Sequence, residues 1–263
     1  MLNTITGAQH YCVLDIEFVD DPELYLRYRR IDPRPAVQRW PLRKVVAANV
    51  MTLFTDGSTL EVTGFKSFSG PDEDKLLLAL FAHMKQHSGH RLCTYGGCAT
   101  DVQILRAGAM AHGLKLPPQL VGNRRNRHGE FEHLDLAILM RGGGGTYVHM
   151  SEIAVRLNVP VKMGGSALAI PEAVRAGNFR VCEWLAEADT ITTACLLAAH
   201  LASTGQILSA EAAQYSIIKF VRPSRRYAPY ANYLGNVQDR LRRSMCNELQ
   251  RWIGRIECAE ETL

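Results

Sequence analysis

The sequence predicts an α/β fold: a mixed sheet flanked by helices, with a helical extension at its C-terminal end. Three observations carry this expectation. The 263 residues are 47% hydrophobic, enough to bury a sizeable core. Short apolar or β-branched runs alternate with segments of helical period. Beyond Ser203-Thr204-Gly205 the chain reads as helix, interrupted at Pro223 and Pro229. The spacing divides the chain into a domain over 1–205 and a helical extension over 206–263.

The elements follow in order. Residues 11–18 form a short apolar strand, closed by the turn-forming Asp20-Asp21-Pro22. Residues 20–44 hold four prolines and no clean period, and read as an irregular, basic insertion. Residues 44–54 are apolar and β-branched; Asp56-Gly57 follows, then the alternating Leu60 to Phe65, which is a hairpin signal. From Pro71 to His87, Leu76, Leu77, Leu80, Phe81 and Met84 fall at helical spacing. Arg91 to Tyr95 reads as a short strand that leads through Gly96-Gly97 into a helix from Asp101 to His112, with Gly113 as its C-cap. His133 to Met140 is strand or turn, and the glycines at 142–145 mark a break. A short helix over 150–158 and a long one over 179–200 complete this part.

The charge is +4 overall, and its distribution says more than its sum. Between Arg27 and Lys44, the seven basic residues Arg27, Arg29, Arg30, Arg34, Arg39, Arg43 and Lys44 face a single acid, Asp32. Tyr25, Tyr28 and Trp40 are interleaved with them, a pattern suited to a single-stranded polyanion. Further basic clusters lie at 124–128, from Lys219 to Arg226, and at Arg240, Arg242 and Arg243. Tyr227, Tyr230 and Tyr233 stand at near-helical spacing and read as packing residues. The seven cysteines include no Cys-x-x-Cys pair, so neither a disulfide framework nor a zinc knuckle is expected. No apolar run approaches the roughly 20 residues of a membrane span. With no signal-like start, a cytoplasmic location is the expectation.

Four acids stand out. Asp15 and Glu17 alternate within the first strand, which sends both to one face while Leu14, Ile16 and Phe18 take the other. Two carboxylates beside a buried run repel each other, and a hard divalent cation such as Mg²⁺ or Mn²⁺ is what makes them tolerable. Without one, the pair reads as the wet face of an edge strand. Asp101 opens a helix after two glycines that let the backbone approach something closely; alternatively it only complements the helix dipole. Asp189 lies mid-helix among Ala186, Ala188, Ile191 and Ala194, an unfavourable place for aspartate unless its face is exposed beside Glu183 and Glu187. His10, His90 and His133 read as satisfied core or surface histidines.

In this order the acids resemble the motifs of the DEDD 3′–5′ exonucleases. Asp15-Ile16-Glu17 looks like the first motif, Leu92 to Ala107 around Asp101 is similar to the second, and Ala188-Asp189-Thr190-Ile191-Thr192-Thr193 resembles the third. His133 to Leu136 and Ser151 to Lys162 look like the segment between motifs. The nearest likeness is to stand-alone predicted exonucleases related to the proofreading domain of family-B DNA polymerases, over roughly residues 10–203. The resemblance implies a ribonuclease-H-like fold and two Mg²⁺ or Mn²⁺ ions held by Asp15, Glu17, Asp101 and Asp189. Asp15 would bridge both ions, Glu17 and Asp189 would complete one, and Asp101 the other. It also implies hydrolysis at a nucleic-acid 3′ end, single-stranded DNA first and RNA second. Arg27, Tyr28, Arg29, Arg30 and Gly96 are the candidate nucleic-acid contacts. Two positions depart from the pattern. Leu185 and Trp184 stand where the family places a tyrosine or its sister group a histidine, and Gly96 where asparagine is frequent. These departures leave room for a nucleic-acid-binding module with weak or no turnover that keeps its metal site.

Overall fold

The structure is a computed structural model describing residues 8–32, 34, 39–122, 133–141 and 146–260. Strand β1 (Gln9–Asp20) leads into α1 (Pro22–Ile31), then β2 (Arg43–Thr55) and β3 (Leu60–Ser69) form a hairpin. Helix α2 (Glu73–Gln86), β4 (Arg91–Thr94), α3 (Asp101–Ala111), the single turn α4 (Pro118–Val121) and β5 (His133–Asp135) follow. Short helices α5 (Leu136–Leu139), α6 (Met150–Arg156) and α7 (Ile170–Arg175) precede the long α8 (Phe179–Ser203), α9 (Ala210–Val221) and α10 (Ala231–Glu260).

The five strands lie in the order β3-β2-β1-β4-β5. β2 runs antiparallel to both β1 and β3, whereas β4 is parallel to β1 and to β5. This is the mixed sheet flanked by helices that the alternating periods predict. Alternation along β1 sorts its side chains. Cys12, Leu14 and Ile16 enter a core with Leu76, Leu77, Leu80 and Phe81 of α2 and Ile104 and Leu105 of α3. Tyr11 and Val13 point the other way, into a core shared with α8, α9 and α10. Asp15 and Glu17 continue that second row, where apolar packing gives way to acid.

One segment differs from expectation. Within the insertion 20–44, residues 22–31 are helical rather than irregular. Local chemistry explains it: the Asp21 carboxylate accepts from the Glu23 and Leu24 amides, Pro22 opens the helix, and Arg29 and Arg30 close it. The helix buries no residue, so the helical spacing of Leu24, Tyr28 and Ile31 meets no core. The glycines 142–145 and the basic cluster at 124–128 lie outside the described residues.

The C-terminal helices do not stand apart from the sheet. Ile217, Ile218, Val221, Tyr230 and Leu234 share one core with Tyr11 and Val13. A buried polar knot fastens them. Glu187, fully buried on α8, accepts from Ser67 at 2.6 Å, from Arg225 at 2.8 Å and from the Tyr230 hydroxyl. Burial, with Glu187 alongside, pushes the Tyr230 hydroxyl's pKa upward, so it remains a donor. Arg225 is therefore part of the scaffold, not of a polyanion surface. Arg222 and Arg240 are likewise engaged within the chain, with Gln238 and Asn158. Removing Arg225 leaves a carboxylate buried without its counter-charge, which typically costs about 3–5 kcal/mol. Arg225→Ala should lower unfolding stability by about that amount in urea titration, and adding Glu187→Gln should restore much of it.

Candidate metal centre

The hydrogen-bonded pairing of β1 with β4 ends at Val13 and Cys93. Two residues further along β1 stands Asp15. Here the two parallel strands part, at the place where the sheet changes from antiparallel to parallel neighbours. Crevices at the carboxyl ends of strands beside such a switch are where open α/β sheets bind ligands. A cleft of about 420 Å³ opens there, lined by Asp15, Asp189, Tyr95, Gly96 and Asp101 among others.

Each acid arrives by a different route. A register shift between Glu17 and Phe18 bends β1 just beyond the pair. Asp189 enters from α8, which crosses the sheet: the Thr190 hydroxyl reaches the Asn49 carbonyl on β2, opposite Asp15. Carboxylate oxygens of Asp15, Glu17 and Asp189 lie within 4.8 Å of one another. Asp101 begins α3 and lines the same cleft. Thus the structure brings together the four acids singled out in the sequence. The wet-face reading of Asp189 does not hold, since its neighbour Glu187 is fully buried and Asp189 turns into the cleft.

Crowding governs their protonation. Desolvation is the largest cause at every acid. Asp15 is raised well above the carboxylate range by burial and by Asp189, Glu17 and Asp101. Glu17 is pushed up to about 8 by burial, Asp189 and Asp101. Burial, then Asp135 and Asp189, raise Asp101 to about 7. Asp189 rises through burial, against the pull of Lys162 and His149.

Several residues of the centre escaped sequence reasoning. Lys162 lines the cleft, and its charge opposes the upward shifts of Asp15, Glu17 and Asp189. Its backbone is left-handed (φ 54°), an uncommon conformation for lysine that such sites often hold. His149 also lines the cleft; its Nδ1 accepts from the Ser151 amide, which leaves the proton of the neutral ring on Nε2. Tyr147 and Tyr95 complete the wall, and the Tyr95 hydroxyl donates to the Val148 carbonyl at 2.7 Å. Asp135 holds the approach to Asp101: its carboxylate accepts from the Gly96 and Cys98 amides, both at 2.8 Å. Gly96 sits at φ 77°, and a Cβ on Gly97 would stand 2.7 Å from the Thr94 hydroxyl, so the double glycine serves a tight turn against the protein itself.

The other candidates are placed differently. Arg27, Tyr28, Arg29 and Arg30 lie on α1, with the arginines exposed, and none lines the cleft. The Tyr28 hydroxyl donates to the Arg34 carbonyl at 3.1 Å. Trp40 packs on the core, and of the tail tyrosines Tyr230 is buried while Tyr227 is 82% exposed. His10 and His90 stack on each other, ring centres 4.8 Å apart. Leu185 faces a core with Val19, Val46 and Ala47 rather than the cleft.

A ribonuclease-H-like fold carrying clustered carboxylates at the carboxyl end of its central strand is the class that sheet and centre define. The chain belongs to a family of predicted 3′–5′ exonucleases related to the exonuclease domain of PolB, matched over residues 37–224. Nucleic acid is the substrate class that membership implies. A comparison with curated proteins finds no match. Among the described residues no helix is long and apolar enough to cross a membrane.

The raised carboxylates make a pH prediction. A carboxyl raised on folding contributes stability that is complete below its ordinary value and lost as pH climbs through its folded value. For Glu17 that window runs from 4.5 to about 8. In chelator the thermal midpoint should therefore fall across this window, less so in Glu17→Gln, and Mn²⁺ should abolish the fall. An unchanged slope in Glu17→Gln would remove Glu17 as its source.

Proposed function

We propose that this chain is a metal-dependent 3′–5′ exonuclease that hydrolyses terminal phosphodiesters, with single-stranded DNA as the first substrate to test. The observation that carries the reading is the meeting of Asp15, Glu17 and Asp189 within 4.8 Å, with Asp101 lining the same cleft as Asp15 and Asp189.

The donor set fits divalent cations. All four are hard oxygen ligands, as Mg²⁺ and Mn²⁺ prefer, and their mutual repulsion is what such ions relieve. Asp15, Glu17 and Asp189 would hold one ion, and Asp15 with Asp101 a second. When bound, the ions supply Lewis acidity toward the phosphodiester and the attacking water.

The chain's own groups do the rest. Lys162 supplies a cation that meets the charge growing on the phosphoryl oxygens, and His149 offers its Nε2 proton from the same wall. Tyr95 and Tyr147 give ring surface for a terminal base, where stacking is commonly worth about 1–3 kcal/mol. The arginines of α1, lying off the cleft, would track the strand's backbone beyond its end. The segment 206–263 acts as a helical brace for the domain over 1–205.

Leu185 motivates the competing reading, a binding module without turnover. With Mn²⁺ and 5′-labelled single-stranded DNA, the chain should shorten products from the 3′ end, and Asp15→Ala with Glu17→Ala should reduce this to background. Equal residual cutting by both proteins would leave only the binding module. Losing one positioned charge from a site of this kind costs about 10²–10³-fold in kcat. Lys162→Ala should show a loss of that size, with KM less affected, and Lys162→Arg should recover part of it.

A further inference from the structure

A second cluster lies beside the four acids, where the turn before α3 meets β5. Cys98, His133 and Asp135 each offer a ligand atom, all within 4.8 Å of one another. The Cys98 sulfur is 3.2 Å from His133 Nδ1. Two ligands on one tetrahedral zinc ion stand roughly 3.5 Å apart, for bonds of about 2.3 Å to sulfur and 2.0 Å to nitrogen. The separation found is therefore close to that of a shared ion.

We propose that Cys98, His133 and Asp135 form a zinc site, chemically distinct from the all-oxygen centre and serving to fix the turn that leads to Asp101. Thiolate, imidazole and carboxylate suit a borderline-soft ion, whereas four carboxylates suit a hard one. The surroundings already have the form of an outer shell. His133 Nε2 lies 2.8 Å from the Thr94 hydroxyl, which orients the ring and holds Nδ1 toward the sulfur when Nε2 donates. Among the described residues, Asp135 Oδ1 accepts from the Gly96, Ala137 and Ile138 amides, whereas Oδ2 accepts from the Cys98 amide and the Cys98 side chain also hydrogen-bonds the carboxylate. Three protein ligands leave a fourth position for water.

Binding requires the thiolate. Burial and the adjacent Asp135 push the Cys98 thiol up to about 12, and burial lowers His133 to about 4, so the imidazole is neutral and the thiol protonated near neutrality. Zinc binding then forms a sulfur–zinc bond and releases one proton to solvent. The same protonation states argue against a cysteine nucleophile here, which would need a thiolate–imidazolium pair. No Cys-x-x-Cys spacing announces the site, because parallel pairing of β4 with β5 brings together residues 35 positions apart.

Cobalt reads the site directly. The full chain is used with Cys246→Ser and Cys258→Ser, which remove the thiols of α10, and with excess Mg²⁺ on the acids. Co²⁺ should then give a thiolate-to-cobalt charge-transfer band that survives Asp15→Ala and disappears in Cys98→Ser. A missing band in the parent, or a band that persists without Cys98, overturns the proposal. A measurement independent of any Cys98 variant is the alkylation rate of Cys98, followed by peptide mass spectrometry. One equivalent of Zn²⁺ should slow it at least tenfold, and an unchanged rate also overturns the site.

Discussion

Like-charge repulsion at the carboxyl end of β1 is the constraint around which this structure is arranged. Strand alternation sends Asp15 and Glu17 the same way, and the first buried layer beneath α8 is where they arrive. Asp189 and Asp101 then add two more carboxylates to one cleft. In water such a group would spread or ionise freely. Here the sheet and two helices bury the acids in fixed positions, so desolvation, with repulsion added at Asp15, Glu17 and Asp101, raises the proton affinity of all four. Hydrophobic cores on both faces of the sheet hold the geometry against it. A local weakness sustained by a strong scaffold is the usual signature of a binding centre.

Much of the scaffold was legible in the sequence because burial writes periodicity. The β2–β3 hairpin, α2, α3 with its Gly113 cap at φ 63° and the long α8 all follow from apolar spacing and turn chemistry. Helix α1 was not, since it buries nothing, although Asp21, Pro22 and the closing arginines are start and stop signals. The candidate acids were visible as residues out of place among apolar neighbours. Lys162 and Asp135 were not, for opposite reasons. Lysine after Val-Pro-Val in a loop is unremarkable in sequence, and only tertiary packing turns it toward the acids. Asp135 looked like one residue of a strand, while its function is to receive amides from a turn nearly forty positions away in sequence.

Leu185 shows how packing recasts a motif. A Cβ placed on Gly164 would stand 2.9 Å from the Trp184 carbonyl and 3.2 Å from Leu185 Cα. The backbone of the 160–165 loop thus lies directly on α8 where the resemblance expects a tyrosine. Leu185 turns toward the core with Val46 and Ala47, and the loop that covers this stretch of α8 also carries Lys162. The substitution and the lysine are therefore two sides of one arrangement.

The family match begins at residue 37, so β1 with Asp15 and Glu17 lies before it and α10 after it. Geometry joins both to the matched part. β1 is the central strand of the sheet, hydrogen-bonded to β2 on one side and β4 on the other. A chain lacking it would leave β2 and β4 with exposed edges and split both cores. At the other end, Tyr230 reaches Glu187, two residues before Asp189 on α8. The acids from β1 and the brace from Tyr230, just before α10, thus converge on the same helix. Asp189 occupies its position in the cleft because α8 is pinned from both sides, by β1 and β2 beneath it and by the Glu187 knot behind it.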